Sequence, residues 1–341
     1  MSFKVVNTRS TPGMDRSAFG EELLEPFDVN LVNDIEQTEE GIIENCKDAD
    51  AVIGSVSHTS PFNRKVIEQM SKCRVIAGPS IAFEKIDLAA ATERGIAVCN
   101  NPDYCLDEVS GRVIGLMLTL SYKFFQIDKK VKEEGIGRGQ LRQITGPIGR
   151  TQGQTLGLVG LGRIATIAAL KARGLGMRVI AYDPFVFDGY MRALNVEPVD
   201  MDTLLKESDF ISVHVPVTPA TQNFIGYAEF KKMKPSSYFI NASRGAIVDE
   251  PALVRALDEK LIAGAGIDVT VEEPILRDNP LLKMDNVILS NHSGWYSTEA
   301  AHDLVHNPMT QVVLALEGKW PLYAVNPQIR GKWMERFGAK S

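Results

Sequence analysis

Residues Thr155–Gly174 read TLGLVGLGRIATIAALKARG, and the order of residue types in this stretch decides the fold. An apolar run from Thr155 to Gly160 has the length of a buried strand, and from Ile164 onward small and apolar residues recur at helical spacing. Between the two stands Gly160-x-Gly162-x-x-Ala165. The first glycine permits a tight turn, the second lets backbone approach a pyrophosphate at the helix N-terminus, and the alanine keeps helix and strand close. The helix dipole then favours an anion. Such a motif by itself also describes a tight turn and nothing more. A second apolar run, Arg178–Asp183, adds context: it ends on an acid 21 residues past Gly162, close to the roughly 20 expected of a ribose-binding carboxylate. That acid would hydrogen-bond a free ribose hydroxyl and repel a 2′-phosphate, so NAD is expected, with NADH preferred over NADPH. The competing reading is a plain Asp183-Pro184 turn. Arg163 is placed to support the pyrophosphate, or is a solvated surface arginine. The chain has no G-x-x-x-x-G-K-[ST] element, which argues against a nucleotide triphosphatase.

Outward from this stretch the alternation continues. Runs at Phe210–Pro216, Ser237–Ser243, Gly264–Val269 and Val287–Asn291 are separated by helical patterns such as EPALVRALDEKL. Strands apolar throughout imply a parallel sheet covered on both faces. Upstream, Phe3–Asn7, Phe27–Leu31, Ala51–Ile53 and Arg74–Ala77 begin a first β/α alternation of the same kind. A candidate hinge at Asn101-Pro102 precedes DEVSGRVIGLMLTLSYKFFQIDKKVKEEG, which reads as one long helix. A last helical pattern, STEAAHDLVHNPMTQVVLALEGK, leads to Val325-Asn326-Pro327 and a basic amphipathic tail read as a terminus, ordered or frayed. The fold class is therefore α/β, with two doubly wound parallel sheets.

The composition agrees, with 341 residues, 44% of them hydrophobic and 23% charged, enough for two domains. A net charge of -6 argues against nucleic acid, because phosphate binding wants clustered Lys and Arg. The expected partner is a small molecule. Cys46, Cys73, Cys99 and Cys105 are too far apart for paired C-x-x-C ligands and read as free, mostly buried thiols. MSFKVVNTRS has no apolar signal stretch and no window reaches the roughly 18 apolar residues of a membrane span, so a cytoplasmic protein without membrane attachment is expected.

Reduction of a 2-oxo acid needs a cation for the carboxylate and carbonyl, a proton donor, and a group that keeps the donor protonated. Arg, His and Glu can fill those roles, and each follows an apolar run of the second alternation, where ligands gather in an open parallel sheet. Arg244 lies in INASRG, Glu272 and Glu273 in GIDVTVEEP, and His292 in LSNHSGW. A guanidinium fork can hold a carboxylate through two hydrogen bonds; a carboxylate beside an imidazole favours its protonated form and fixes its tautomer. Singly, each has a plainer explanation: an arginine capping a strand end, a structural histidine, a solvated EEP turn. On bare chemistry Glu272 and Glu273 both qualify.

These residues carry a resemblance. The segments GLVGLGRIA, YDPF, HVPVTPATQNFIG, NASRGAIVDEPALVRAL and GAGIDVTVEEP, with the His292 loop, are similar to the D-isomer-specific 2-hydroxyacid dehydrogenases, which include phosphoglycerate dehydrogenase, D-lactate dehydrogenase and the C-terminal-binding-protein corepressors; the resemblance covers Cys73 to Pro327. It implies two Rossmann-like domains with a cleft between them, the cofactor domain inserted into the substrate domain. The flavodoxin-like substrate-binding domain would be 1–102 and 297–341, the NAD-binding Rossmann domain 103–296. It implies Arg244 on the substrate, His292 as acid/base and Glu273 as its partner. The cofactor would meet Gly160, Gly162, Arg163, Ile164, Asp183, Val215, Pro216, Ala242, Ser243, Arg244, His292 and Gly294, with Asp268 facing the nicotinamide carboxamide. The substrate would meet Ile81, Ala82, Tyr104, Arg244, His292 and Trp295. No metal is implied, and a homodimer through the long helix is.

The chain also departs from the family pattern. Ala82 stands where glycine is usual, and would be strained if the position needs positive φ. Gly111 and Arg112 replace residues of a DEVADH-like run, and Arg112 faces either the cleft or a dimer surface. Asn291 replaces a common proline, and Trp295 resembles the corepressor branch, walling the substrate or packing between lobes. His214 is read as structural. The alternatives are an NADH-responsive scaffold without turnover, suggested by Trp295, or another NAD-linked oxidation such as formate or phosphite chemistry, against which Glu273 counts.

Overall fold

In the computed structural model the described residues are 2–8, 20–33, 35–36, 38–54, 62–83 and 85–339, so Met1, Arg9 and Ser10 of the N-terminal stretch and Lys340-Ser341 of the tail lie outside them. The chain divides into two units, Met1–Cys105 with Ser297–Ser341, and Leu106–Tyr296.

In the first unit, β1 (Phe3–Asn7), β2 (Val29–Val32), β3 (Ala51–Ile53), β4 (Val75–Ala77) and β5 (Ala97–Cys99) form a parallel sheet in the order β2-β1-β3-β4-β5. Four of these are the apolar runs expected from sequence. The fifth, Ala-Val-Cys, is not among them. Strands β3, β4 and β5 are wholly buried, as parallel strands covered on both faces must be. One face packs on Ile42, Phe62, Ile67 and Ile96, the other on Met309, Val312 and Trp333. The helix Thr298–Leu316, capped by the Ser297 hydroxyl on the Ala300 amide, lies against β3 and β4. Beyond it, fully buried Asn326 works as a backbone substitute: its Oδ1 accepts the Val98 amide at 3.0 Å and its Nδ2 donates to the Ile96 carbonyl at 2.9 Å. Trp333 then closes the face, its Nε1 donating to the Arg74 carbonyl at 2.8 Å.

In the second unit, β6 (Thr155–Val159), β7 (Arg178–Tyr182), β8 (Glu197–Pro198), β9 (Phe210–Val213), β10 (Tyr238–Asn241), β11 (Gly264–Ile267) and β12 (Val287–Leu289) form a parallel sheet in the order β12-β11-β10-β9-β6-β7-β8. Six are the expected runs, trimmed at their ends; β8, two residues long, carries no pattern. The order reverses beside β6. Successive connections leave its carboxyl end in opposite directions, which opens the crevice where ligands bind such sheets.

The long helix expected from Asp107 is two helices, Leu106–Ser121 and Phe124–Glu134, broken where Lys123 takes φ 57°. The first buries Val113, Leu116, Met117 and Leu120 and packs on the helix Arg163–Gly174 and on β10 and β11. The second buries nothing. Lys123 turns back so that its ammonium sits 5.0 Å from the Tyr238 ring centroid, and the chain leaves the core at that point. Lysine is a good helix former, so periodicity alone could not show this break.

All four cysteines are free and buried, and burial pushes the Cys46 thiol up to about 12. Among the described residues no helix is long and apolar enough to cross a membrane. Replacing Trp333 with Ala removes a buried indole and leaves a cavity, a change worth about 3–5 kcal/mol. Urea unfolding of W333A should show a loss of that size, and wild-type stability would mean that the Arg330–Phe337 helix contributes little to the first core.

Candidate functional site

The glycine turn forms as its sequence implies. Gly160 has φ 91°, and a Cβ there would stand 2.8 Å from Val215 Cγ1 and 3.1 Å from the His214 carbonyl carbon. Gly162 is the N-cap of Arg163–Gly174 and contributes no side-chain cap, and a Cβ there would meet nothing within 4 Å. Open space therefore lies beside uncapped first-turn amides, the cradle a pyrophosphate requires. Ala165, fully buried, sets the helix on the sheet. Half-buried Asp183, just past β7, accepts the Leu161 amide at 2.8 Å through Oδ2 and the Phe185 amide at 2.9 Å through Oδ1. Each oxygen keeps a lone pair for a ribose hydroxyl. These residues fit a dinucleotide. Arg163 is exposed and Ile164 half-buried in the first helical turn.

The other expected residues follow the carboxyl ends of β9 to β12. Val215 and Pro216 follow β9, and the Ser243 hydroxyl beyond β10 donates to the Val215 carbonyl at 2.8 Å. Asn241, at the end of β10, shapes the Ala242–Arg244 turn: its Oδ1 accepts the Ser243 amide at 3.0 Å and its Nδ2 donates to the Arg244 carbonyl at 2.9 Å. Gly245 lies against the loop after β11, where a Cβ would stand 2.1 Å from the Thr270 carbonyl oxygen. Glu250 holds that same loop, accepting the Val271 amide at 3.1 Å.

His292 Nδ1 donates to Glu273 Oε2 at 2.7 Å. This bond separates Glu273 from its neighbour Glu272, which meets the loop through its backbone carbonyl, accepting the Thr270 hydroxyl at 2.7 Å. The Thr270 amide donates to the other Glu273 oxygen at 3.3 Å. Burial pushes the Glu273 carboxyl upward, but the hydrogen bond and charge of His292, the Thr270 amide and the charge of Arg244 outweigh it and hold the group below the usual carboxylate value. With Nδ1 engaged, Nε2 is the free ring nitrogen. His292 is 46% exposed at its side chain and Glu273 29%. The pair is thus accessible, whereas His214, whose Nε2 lies 3.0 Å from the Ser212 hydroxyl, is pushed down to about 4 by burial and is neutral near pH 7.

Asp268 is 3% exposed, and its carboxylate accepts from the Ser290 hydroxyl at 2.6 Å, the Ser293 amide at 3.1 Å and the Gly294 amide at 3.0 Å. Its main work is to hold the His292 loop, where Asn291 and His292 both have positive φ, 48° and 54°. Proline, locked near φ −65°, could not replace Asn291 in this turn. Trp295 is half-buried, with its ring edge-on to Tyr296.

In the first unit, Asn100 Nδ2 donates to the Ile81 carbonyl at 2.9 Å and the Ser80 hydroxyl to the Ala82 carbonyl at 3.2 Å. The Ile81 and Ala82 amides donate to no acceptor among the described residues. Ala82 is not among the positive-φ residues, so this loop accepts alanine without the strain feared from its sequence. Tyr104 is half-buried ahead of the Leu106–Ser121 helix.

The family model of the D-isomer specific 2-hydroxyacid dehydrogenase NAD binding domain matches residues 114–294. A glyoxylate reductase of Korarchaeum cryptofilum is 34% identical over 334 residues, covering 96% of this chain and 97% of its own. The chain belongs to the D-isomer specific 2-hydroxyacid dehydrogenase family. A glycerate dehydrogenase of Methylorubrum extorquens is 36% identical over 286 residues, 83% of this chain and 87% of its own. The crystal structure of a glyoxylate reductase from Paecilomyes thermophila matches with a TM-score of 0.82 at 27% identity, covering 96% of this chain and 99% of that one. This dehydrogenase is an NAD-binding oxidoreductase acting on the CH–OH group of 2-hydroxy acids.

Asn241, Gly245 and Glu250 were not singled out by sequence. Each acts by shaping a loop, and the available signal was only that they flank Arg244 in the NASRGAIVDEP segment. G245A must push the Arg244 turn away from the Glu273 loop. Roughly a hundredfold loss of kcat/KM is expected, as for a misplacement of about 1 Å at a reacting centre, while NADH titration should show binding kept. Unchanged kcat/KM would mean the two loops need not touch.

Proposed function

We propose that this chain is an NADH-dependent reductase of a small 2-oxo acid, forming the D-2-hydroxy acid, with His292 as acid/base, Glu273 as its partner and Arg244 on the substrate carboxylate and carbonyl. The observation that carries this is the 2.7 Å His292–Glu273 pair, on the loops after neighbouring strands β12 and β11, with Arg244 after β10. The names of the relatives point to glyoxylate or hydroxypyruvate as the acid.

When bound, the nicotinamide supplies the hydride that reaches C2. Arg244 holds the carboxylate in a fixed plane and draws charge onto the carbonyl oxygen. His292 Nε2 then delivers a proton to that oxygen, and Glu273 balances the charge on the ring and keeps Nδ1 committed. Asp183 disfavours a 2′-phosphate, because both its oxygens are fixed by backbone amides and cannot swing aside. Gly160, Gly162, Arg163 and Ile164 take the pyrophosphate, and Val215, Pro216, Ala242, Ser243 and Gly294 line the rest of the dinucleotide. Asp268 retains about one acceptor position beyond its three hydrogen bonds for the carboxamide. Ile81 and Ala82 offer amides to the carboxylate, and Tyr104 and Trp295 meet the substrate. Phe124 and Phe125, 56% and 61% exposed on a helix that buries nothing, support a homodimer that covers them. The expected compartment is the cytoplasm.

Purified protein should oxidise NADH faster than NADPH with glyoxylate or hydroxypyruvate in a panel of 2-oxo acids. Tight NADH binding with no turnover across the panel would instead favour a scaffold. R244A should raise KM and lower kcat together; unchanged kcat/KM would remove Arg244 from the site. H292A should keep NADH binding and lose roughly 10²- to 10⁴-fold in kcat.

The pH profile has a defined sign. Glu273 must be charged, and its value in the folded protein lies below the ordinary 4.5, so its support of the ring is present above the unfolded value and is lost only as pH falls through the lower folded one. Reduction should therefore survive mild acid and fall only below the ordinary carboxylate range, and E273Q, which has no carboxyl to protonate, should be slower above that range and lose the acid limb. An acid limb that persists in E273Q would break the assignment of Glu273.

A further inference from the structure

Asn291 and His292 occupy consecutive left-handed positions, a conformation that residues with a Cβ hold only when their surroundings impose it. Asp268 restrains the loop from the β11 side, through the Ser293 and Gly294 amides. A second restraint comes from the Leu106–Ser121 helix. Half-buried Arg112 extends from it and donates through Nη2 to the Ser293 carbonyl at 3.0 Å, the residue after His292. Its Cγ lies 3.4 Å from where a Gly294 Cβ would be, so glycine admits the arginine stem against the loop.

On this side the loop borders a cavity of about 440 Å³, whose walls include Arg112, Ser290 and Gly294. Packing therefore does not duplicate what the hydrogen bond does. The Ser293 carbonyl also accepts the Tyr296 amide at 3.1 Å, but that bond is internal to the loop and would move with it. Arg112 ties the loop to a helix whose neighbouring residue, Val113, is fully buried.

We propose that Arg112 is a positioning residue: its hydrogen bond to the Ser293 carbonyl, made across the cavity wall, holds the loop that keeps His292 in register with Glu273. This rests on the reading of His292 as the acid/base. It assigns to Arg112 neither a substrate anion nor a solvent role. Without the bond, Asp268 still holds the turn but the loop loses its tie to the helix, and the imidazole is held less firmly where Nδ1 meets Glu273.

The test is kinetic, on the full chain, with the 2-oxo acid that turns over fastest. R112M keeps the stem and removes the donors; R112K restores one donor. In the wild-type background R112M should lower kcat roughly tenfold to a hundredfold, with NADH affinity by fluorescence titration kept, and R112K should recover part of the loss. In the H292A background R112M should change the residual rate less than twofold, because there is no imidazole left to position. An equal fold loss in both backgrounds would overturn the proposal, as would loss of NADH affinity in R112M, or a loss confined to KM for acids bearing a second anionic group. If H292A itself turns over normally, the acid/base assignment falls and the positioning role with it. A normal R112M beside an impaired H292A sinks the positioning role alone.

Discussion

Removing a carboxylate from water is costly unless its lone pairs are filled, and in this dehydrogenase the Asp268 carboxylate is filled by the loop that carries His292. The Ser290 hydroxyl and the Ser293 and Gly294 amides all point at it, while its own amide donates to the Asn241 carbonyl at 2.8 Å and its carbonyl accepts the His292 amide. Hydrogen bonds to a charged group contribute about 1.5–3 kcal/mol each. Left-handed backbone costs up to roughly 1–2 kcal/mol per residue, and these bonds oppose that cost at Asn291 and His292. One buried charge thus connects the end of β10, the end of β11 and the turn after β12.

That arrangement depends on parallel strands. In such a sheet every carboxyl end lies at one edge, so Arg244, Glu273 and His292 need only follow β10, β11 and β12 to come close together. The short loops are then shaped by residues with no chemistry of their own. Asn241 folds the Arg244 turn, Gly245 lets that turn touch Thr270, and Glu250 holds Val271. The strand order, reversing beside β6, puts the glycine turn two strands from β10 on the same sheet.

What could be read from sequence is what local pattern encodes. The Thr155–Gly174 strand, turn and helix, nine further strands, and the residue types of the candidate site all come from runs or motifs a few residues long. β5 and β8 are not among those strands, although β5 is no shorter than the expected β3. The break at Lys123 escaped because its cause, the chain leaving the core, lies in tertiary packing. The Asp268 and Arg112 contacts join residues 25 and 181 positions apart, and nothing in either neighbourhood announces the other. Choosing Glu273 over Glu272 required the family resemblance, since adjacent residues differ only in direction, and direction is set by the fold.

Asn326 and Trp333 complete the first sheet from beyond the second unit, more than 200 residues after the strands they cover. During synthesis, β1 to β5 emerge early with one face bare, and Val5, Ile53, Val75 and Ala77 of that face are all fully buried in the finished protein. The Leu106–Tyr296 unit, by contrast, has its whole sheet available as soon as β12 has left the ribosome. The unit begun first is therefore the one completed last, and its apolar face has to be kept from other nascent chains throughout the interval.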